Sequence, residues 1–214
     1  MPLLSRRQRV TPTVFATGGS HAYQVARCLP DRHALVTETD LVSAIEQSQR
    51  TFDVLAVTGT SFYVNTEVLS EAVRRGVRFR FLLMDHSESN RANVETYFRF
   101  CGSHGGGIDA STSTSKLAEA TLRRLQTENS QTGKIELRWW RGPFINSFWI
   151  RDAGEVRSGM GHLEITFFGD QMLNPSVRFG NLSPGLIVSL QQQFEYLWER
   201  SSPADGANGL KPAP

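Results

Sequence analysis

Apolar and polar positions alternate with changing period along the 214 residues, and the period predicts the elements. Residues 41–48 carry Leu41, Ala44, Ile45 and Ser48 on one helical face, behind TETD at 37–40, a capping box with Thr37 as N-cap. DVLAVTG (53–59) is a nearly continuous apolar run of strand length that ends in Gly59-Thr60-Ser61. Residues 65–75 repeat Val68, Leu69, Ala72 and Val73 at helical spacing, and Gly76 supplies the stop. VRFRFLLMD (77–85) alternates at its start and is wholly apolar at its end, as a buried parallel strand does. Strand, helix, strand within about 30 residues predicts a βαβ unit. Ser89 opens a further helix over 90–100, with Val94, Tyr97, Phe98 and Cys101 inward. GSHGGGIDASTST (102–114) predicts a mobile surface loop, and SKLAEATLRRLQTE (115–128) a helix.

The second half changes character. KIELRWW and FINSFWIRD predict strands, and after the turn Asp152-Ala153-Gly154 a further pair, EVRSG and HLEITFFG. A closing helix places Leu186, Leu190, Phe194, Leu197 and Trp198 on one face. The order predicts an α/β fold, a mixed β-sheet flanked by helices. Residues 1–12 read as a flexible basic arm, 13–200 as one domain, and 201–214 (SSPADGANGLKPAP) as a disordered tail.

Composition narrows the picture modestly. A net charge of +2 from 23 basic and 21 acidic residues does not suggest a strong polyanion binder. Nucleic acid is not favoured as a partner, because no continuous basic stripe runs along the chain. The three lysines are Lys116, Lys134 and Lys211, and the other basic residues are arginines, which suit phosphate and carboxylate. Cys28 and Cys101 form neither CxxC nor a zinc spacing. With no signal peptide and no membrane-length apolar run, a cytoplasmic protein with buried free thiols is expected. No cofactor and no metal is implied; His162 and Glu164 share a strand face, which reads as a solvated pair.

The run VLAVTGTSFYVNTEVLSEAVRRGVRFRFLLMD resembles the first half of a phospholipase D-like repeat, and QQQFEYLWERS is similar to the terminal helix of single-repeat members. The resemblance spans roughly residues 37–200. It implies a phospholipase D-like sandwich, a homodimer that shares one site, and the signature HxKxxxxD, in which histidine attacks phosphorus and lysine stabilises the growing charge. By element order the signature should fall on FINSFWIRD. Asn146 stands near the histidine's place, no lysine follows at +2, and Asp152 lies one residue short of the family's spacing. None of His21, His33, His86, His104 and His162 is followed by lysine at +2. The resemblance therefore implies a degenerate member without the nucleophile.

The expected function is regulatory binding of a small anionic ligand, phosphate- or nucleotide-like. The candidate ligand residues are Arg138, Arg141, Asn146, Arg151 and Asp152 on the later strands, Gly59, Thr60 and Ser61 at the first central strand end, and Asp85 at the second. Removing Arg141 or Arg151 should then weaken anion binding and leave folding nearly intact. The alternatives are an active phosphodiesterase or nuclease built from other residues, and a dimerisation module without a ligand. TGGSHAY (17–23) is a weaker candidate for a phosphate turn.

Overall fold

The structure, a computed structural model, describes residues 25–29, 39–100, 106–129, 134–142, 146–154, 159–165, 176–180 and 184–204. The strands are β1 (Val25–Leu29), β2 (Thr51–Ala56), β3 (Arg78–Met84), β4 (Lys134–Trp140), β5 (Asn146–Arg151), β6 (Met160–Ile165), β7 (Ser176–Gly180) and β8 (Ser202–Pro203). The helices are α1 (Thr39–Glu46), α2 (Thr60–Tyr63), α3 (Thr66–Arg74), α4 (Arg91–Phe100), α5 (Gly106–Glu128) and α6 (Pro184–Glu199). All eight strands form one sheet in the order β1-β7-β6-β5-β2-β3-β4-β8. It is mixed: β2, β3 and β4 run parallel, and β5, β6, β7 and β1 continue antiparallel from β2. The expected α/β architecture is thus present, centred on the βαβ unit β2-α3-β3.

Two apolar layers flank the sheet. On one face Phe52, Phe79 and Phe81 meet Phe62 of α2 and the buried sides of α1, α3 and α5. Phe52 stacks on Phe79 at 5.5 Å, and Phe62 meets Phe81 edge-on at 5.2 Å, the offset and T-shaped contacts that aromatic quadrupoles favour. On the other face Leu82, Met84, Phe148 and Ile150 pack under α4 and α6 through Val94, Phe98, Leu190, Phe194 and Trp198. Arg80 is buried there. It donates to Asp53 at 2.6 and 2.7 Å and to Glu195 of α6 at 2.7 and 2.9 Å. Its guanidinium lies 4.8 Å from the Phe194 ring centroid. A buried cation without these partners would be costly. Burial pushes the Asp53 carboxyl above the usual range, although Arg80 pulls it the other way.

Gly76 ends α3 with φ 94°, the left-handed turn that glycine takes without a Cβ clash. Trp139 and Trp140 pack on opposite faces, as strand alternation requires. Several expectations change. A 3-10 turn, Glu88–Asn90, precedes α4, and Ser87 rather than Ser89 stands before it. The glycine-rich stretch is not a loop from residue 106 on, because α5 begins there and runs for 23 residues. Residues 202–203 of the expected tail pair with β4, and the Ala204 N–H donates to the Leu137 carbonyl at 3.1 Å. The arm at 1–12, TGGSHAY, Thr37, Cys101, residues 155–158 and the tail beyond 204 lie outside the described residues.

Candidate functional site

Because β5 runs antiparallel to β2, and β6 antiparallel to β5, one edge of the sheet gathers the end of β2, the start of β5 and the end of β6. A cavity of about 610 Å³ opens there. Its walls are Val54–Phe62 from β2 through α2, Tyr97 and Phe98 of α4, Ala110, Ser111 and Thr114 of α5, Ser147–Trp149 of β5, and His162 and Glu164 of β6.

The chain reverses at Gly59, with φ 71°. A Cβ there would come within 3.3 Å of Leu83 and 3.6 Å of Ala118, so both backbone and packing call for glycine. The turn presents Thr58, Thr60 and Ser61 to the cavity, with the Thr58 and Thr60 hydroxyls 2.7 Å apart. On the opposite wall cross-strand register sets the side chains. Ser147 pairs with Glu164, and Trp149 with His162, and directly opposed residues share a face. The His162 ring is buried and stacks on Trp149 at 5.5 Å with an 11° tilt. The expected solvated pair is therefore corrected in its burial: His162 is buried and Glu164 half-buried, and both line the cavity.

His86 sits beside the cavity. Its Nε2–H donates to the Val57 carbonyl at 3.2 Å, which leaves Nδ1 to accept from the Thr112 hydroxyl at 3.4 Å. Burial holds its pKa below the ordinary histidine value, against the Val57 carbonyl and the Asp85 carboxylate.

The expected ligand residues separate into two groups. Gly59, Thr60 and Ser61 line the cavity. The others do not. Asp85 is buried, pairs with Arg141 at 2.7 Å and accepts the Ser87 N–H at 2.8 Å. Arg138 donates to the Trp198 carbonyl at 2.8 Å and lies 4.7 Å over the Trp198 ring. Asn146 is half-buried at the start of β5. Arg151 is buried and donates to Gln47 Oε1 at 3.0 Å. Asp152, with φ 46°, accepts the Gln49, Arg50 and Thr51 N–H groups at 2.8–3.2 Å. That carboxylate closes the far end of the β2–β5 pair, away from the cavity. Thr58, Ser111, Thr114 and Ser147 line the cavity without having been selected from the sequence, and His162 and Glu164 were read there only as a solvated pair. For Ser147, His162 and Glu164 the signal was the period-2 pattern of two strands, whose meaning depends on the strands being paired.

Among the described residues, no group of three His, Cys, Asp or Glu side chains is placed to hold a metal ion, and no helix is long and apolar enough to cross a membrane. No family model matches the chain, and no curated protein matches it. Solved structures do. The archaeal chromatin protein TrmBL2, described as showing a novel mode of DNA binding, superimposes with a TM-score of 0.48 at 13% identity, covering 83% of this chain and 54% of its own. The chain thus spans about half the length of that protein. Nuc from Salmonella typhimurium, a phospholipase D family member, gives 0.47 at 16% identity over 79% of this chain and 90% of its own. NucT from Helicobacter pylori gives 0.43 at 10% identity over 80% and 91%.

Proposed function

We propose that this chain is a phospholipase D-like domain that binds a small ligand in the β2–β5–β6 cavity, does not cleave phosphodiesters, and acts in regulation. The observation that carries the reading is the make-up of the cavity wall. The nucleophilic signature needs a histidine with an ammonium group two residues on. The histidine in this cavity, His162, is followed at that distance by Glu164. A carboxylate opposes the negative charge that grows on a phosphoryl group under attack, where a lysine would stabilise it. His162 is also packed flat on Trp149, which restricts the approach of its ring to a substrate.

The ligand is held by hydrogen bonds rather than by an arginine clamp. The phosphate- or nucleotide-like expectation drew on Arg138, Arg141 and Arg151, and those three guanidiniums serve the fold. The described polar wall consists of hydroxyl residues, Thr58, Thr60, Ser61, Tyr97, Ser111, Thr114 and Ser147, with Asn65, His162 and Glu164. Hydroxyls both donate and accept, so such a wall suits a ligand carrying both kinds of group. The size is that of an ordinary small-molecule pocket.

A melting screen tests the proposal. A set containing inorganic phosphate, mononucleotides and neutral polar compounds should yield saturable stabilisation, about 2.7 kcal/mol at a hundredfold excess over Kd. Ser147→Ala should reduce it. Turnover of bis(p-nitrophenyl) phosphate that disappears in His162→Ala would overturn the non-cleaving reading and favour the phosphodiesterase alternative. Absence of any stabilising compound, with a stable dimer in solution, would favour the dimerisation module.

A further inference from the structure

Four rings stand side by side across four neighbouring strands. Phe79 of β3 stacks on Phe52 of β2 at 5.5 Å, Phe52 on Trp149 of β5 at 5.3 Å, and Trp149 on His162 of β6 at 5.5 Å, with interplanar angles of 24°, 29° and 11°. β5 lies between β2 and β6, so Phe52 and His162 cover opposite faces of the Trp149 indole. A ring covered on both faces turns its edge to the layer above the sheet. Phe62 of α2 shows what that layer does with such edges. It meets Phe52 at 74° and Phe81 at 79°, with centroids 6.0 and 5.2 Å away. This is the edge-to-face contact that the aromatic quadrupole favours, a positive rim against a negative face. At the far end of the row, Trp149 and His162 line the cavity.

The charge of the wall narrows the ligand further. Among the described residues no lysine and no arginine lines the cavity, and the Glu164 carboxylate does. An anion entering from water would exchange its hydration for hydroxyl and apolar contacts, with no ammonium or guanidinium of that wall to offset the cost. Neutral polar groups fare differently. The Thr58 and Thr60 hydroxyls are 2.7 Å apart, and one hydrogen serves that bond, so the pair can still donate one more. The Ser111 and Ser147 hydroxyls, both half-buried, make no side-chain hydrogen bond among the described residues. We propose that the occupant of the cavity is an uncharged aromatic compound. Its ring lies face-on to the Trp149 and His162 edges, and its amide or hydroxyl substituents bond the Thr58–Thr60 pair, Ser111 and Ser147. Phosphates and carboxylates fall outside that class.

The aromatic class rests on the ligand-binding reading, and the choice of probes separates the two. Benzamide, cyclohexanecarboxamide and benzoate have nearly one shape and differ in the ring or in the charge. Indole-3-carboxamide and indole-3-carboxylate repeat the charge comparison on a scaffold that fills more of the cavity. Each is titrated into the isotope-labelled full chain near neutral pH and followed by NMR. Benzamide should bind at least about tenfold more tightly than benzoate and severalfold more tightly than cyclohexanecarboxamide, and the indole amide should likewise beat its acid. The edge protons of Trp149 and His162 should move upfield, because they come to lie over the face of the ligand ring. His162→Leu keeps bulk and removes one of the two edges, so the preference for the aromatic ring should shrink while the preference for the amide stays. If that variant does not fold, the upfield movement in the parent protein decides the same point. Benzoate or cyclohexanecarboxamide binding as tightly as benzamide, edge protons that do not move, or no binding by any of the amides would each overturn the proposal. Saturable stabilisation by inorganic phosphate or a polyol would then keep the binding function and sink the aromatic class. No stabilising compound of any kind would sink both.

Discussion

The two ends of the β2–β5 strand pair make opposite use of polar groups. At one end Asp152 collects the N–H groups of residues 49–51, and Arg151 reaches Gln47 of the turn after α1. Every one of these contacts is internal. At the other end Thr58, Gly59, Thr60 and Ser61 face Ser147 and Glu164 across open space. The end rich in formal charge is the structural one, and the end lined by hydroxyls is the candidate site. Buried charges must be paired and hydrogen-bonded by the protein itself, so a cluster of arginine and aspartate on a core strand is first a statement about the fold.

The largest expected effect breaks the closed end. Asp152→Ala leaves three N–H groups without their acceptor and keeps a positive φ at a residue with a Cβ. Unfolding in urea should show a loss of about 3–4 kcal/mol. Asp152→Asn, which tolerates the left-handed conformation and retains one acceptor oxygen, should lose roughly half as much. If Asp152→Ala stays within about 0.5 kcal/mol of the parent, the carboxylate is not what closes this end, and the contrast fails. Arg151→Ala comes next. It empties a buried guanidinium position beside Gln47, at a cost of about 2–3 kcal/mol. That reverses the expectation that Arg151 could be removed with folding nearly intact.

At the open end the sharpest stability test is Gly59→Ala. The left-handed φ costs an L-residue about 1–2 kcal/mol, and Leu83 must yield by a few tenths of an ångström. A shift of the urea midpoint at unchanged slope would report it. A neutral result would mean that the turn can re-form without its positive φ, and that the hydroxyls of Thr60 and Ser61 are not fixed in place.

Local pattern carried the centre of the fold. Val68, Leu69, Ala72 and Val73 announced α3, Gly76 its end, and the apolar runs at 54–57 and 81–84 the first two parallel strands. Leu190, Phe194 and Trp198 likewise marked α6, because amphipathic spacing is a property of one segment. The misses are of two kinds. The first half of α5 is a helix made of turn residues, and tertiary placement overrides propensity there. β8 is two residues held by the edge of β4 and has no signal of its own. The site divides in the same way. Gly59, Thr60 and Ser61 were legible as a strand end before a helix. Ser147 was not, and His162 and Glu164 were legible only as a pair on one strand face, because the burial of that face follows from the registering of β5 and β6 against β2.

The smallest stability effects belong to Arg141, outside the cavity, and Glu164, on its wall. Arg141→Ala breaks a half-exposed ion pair with Asp85 and should cost about 1 kcal/mol, without altering any ligand-induced shift in melting temperature. Glu164→Gln preserves shape on a half-buried wall and should stay within about 0.5 kcal/mol in the absence of ligand. Its effect should appear only with ligand present. A compound that donates hydrogen bonds to the carboxylate loses affinity in the glutamine variant, by about tenfold for one charge-assisted bond. A compound bearing phosphate gains, because a repelling charge has been removed. The direction of that change therefore reports the charge of the ligand. If neither stability nor any binding shift responds to Glu164→Gln, the open end is no more a site than the closed one.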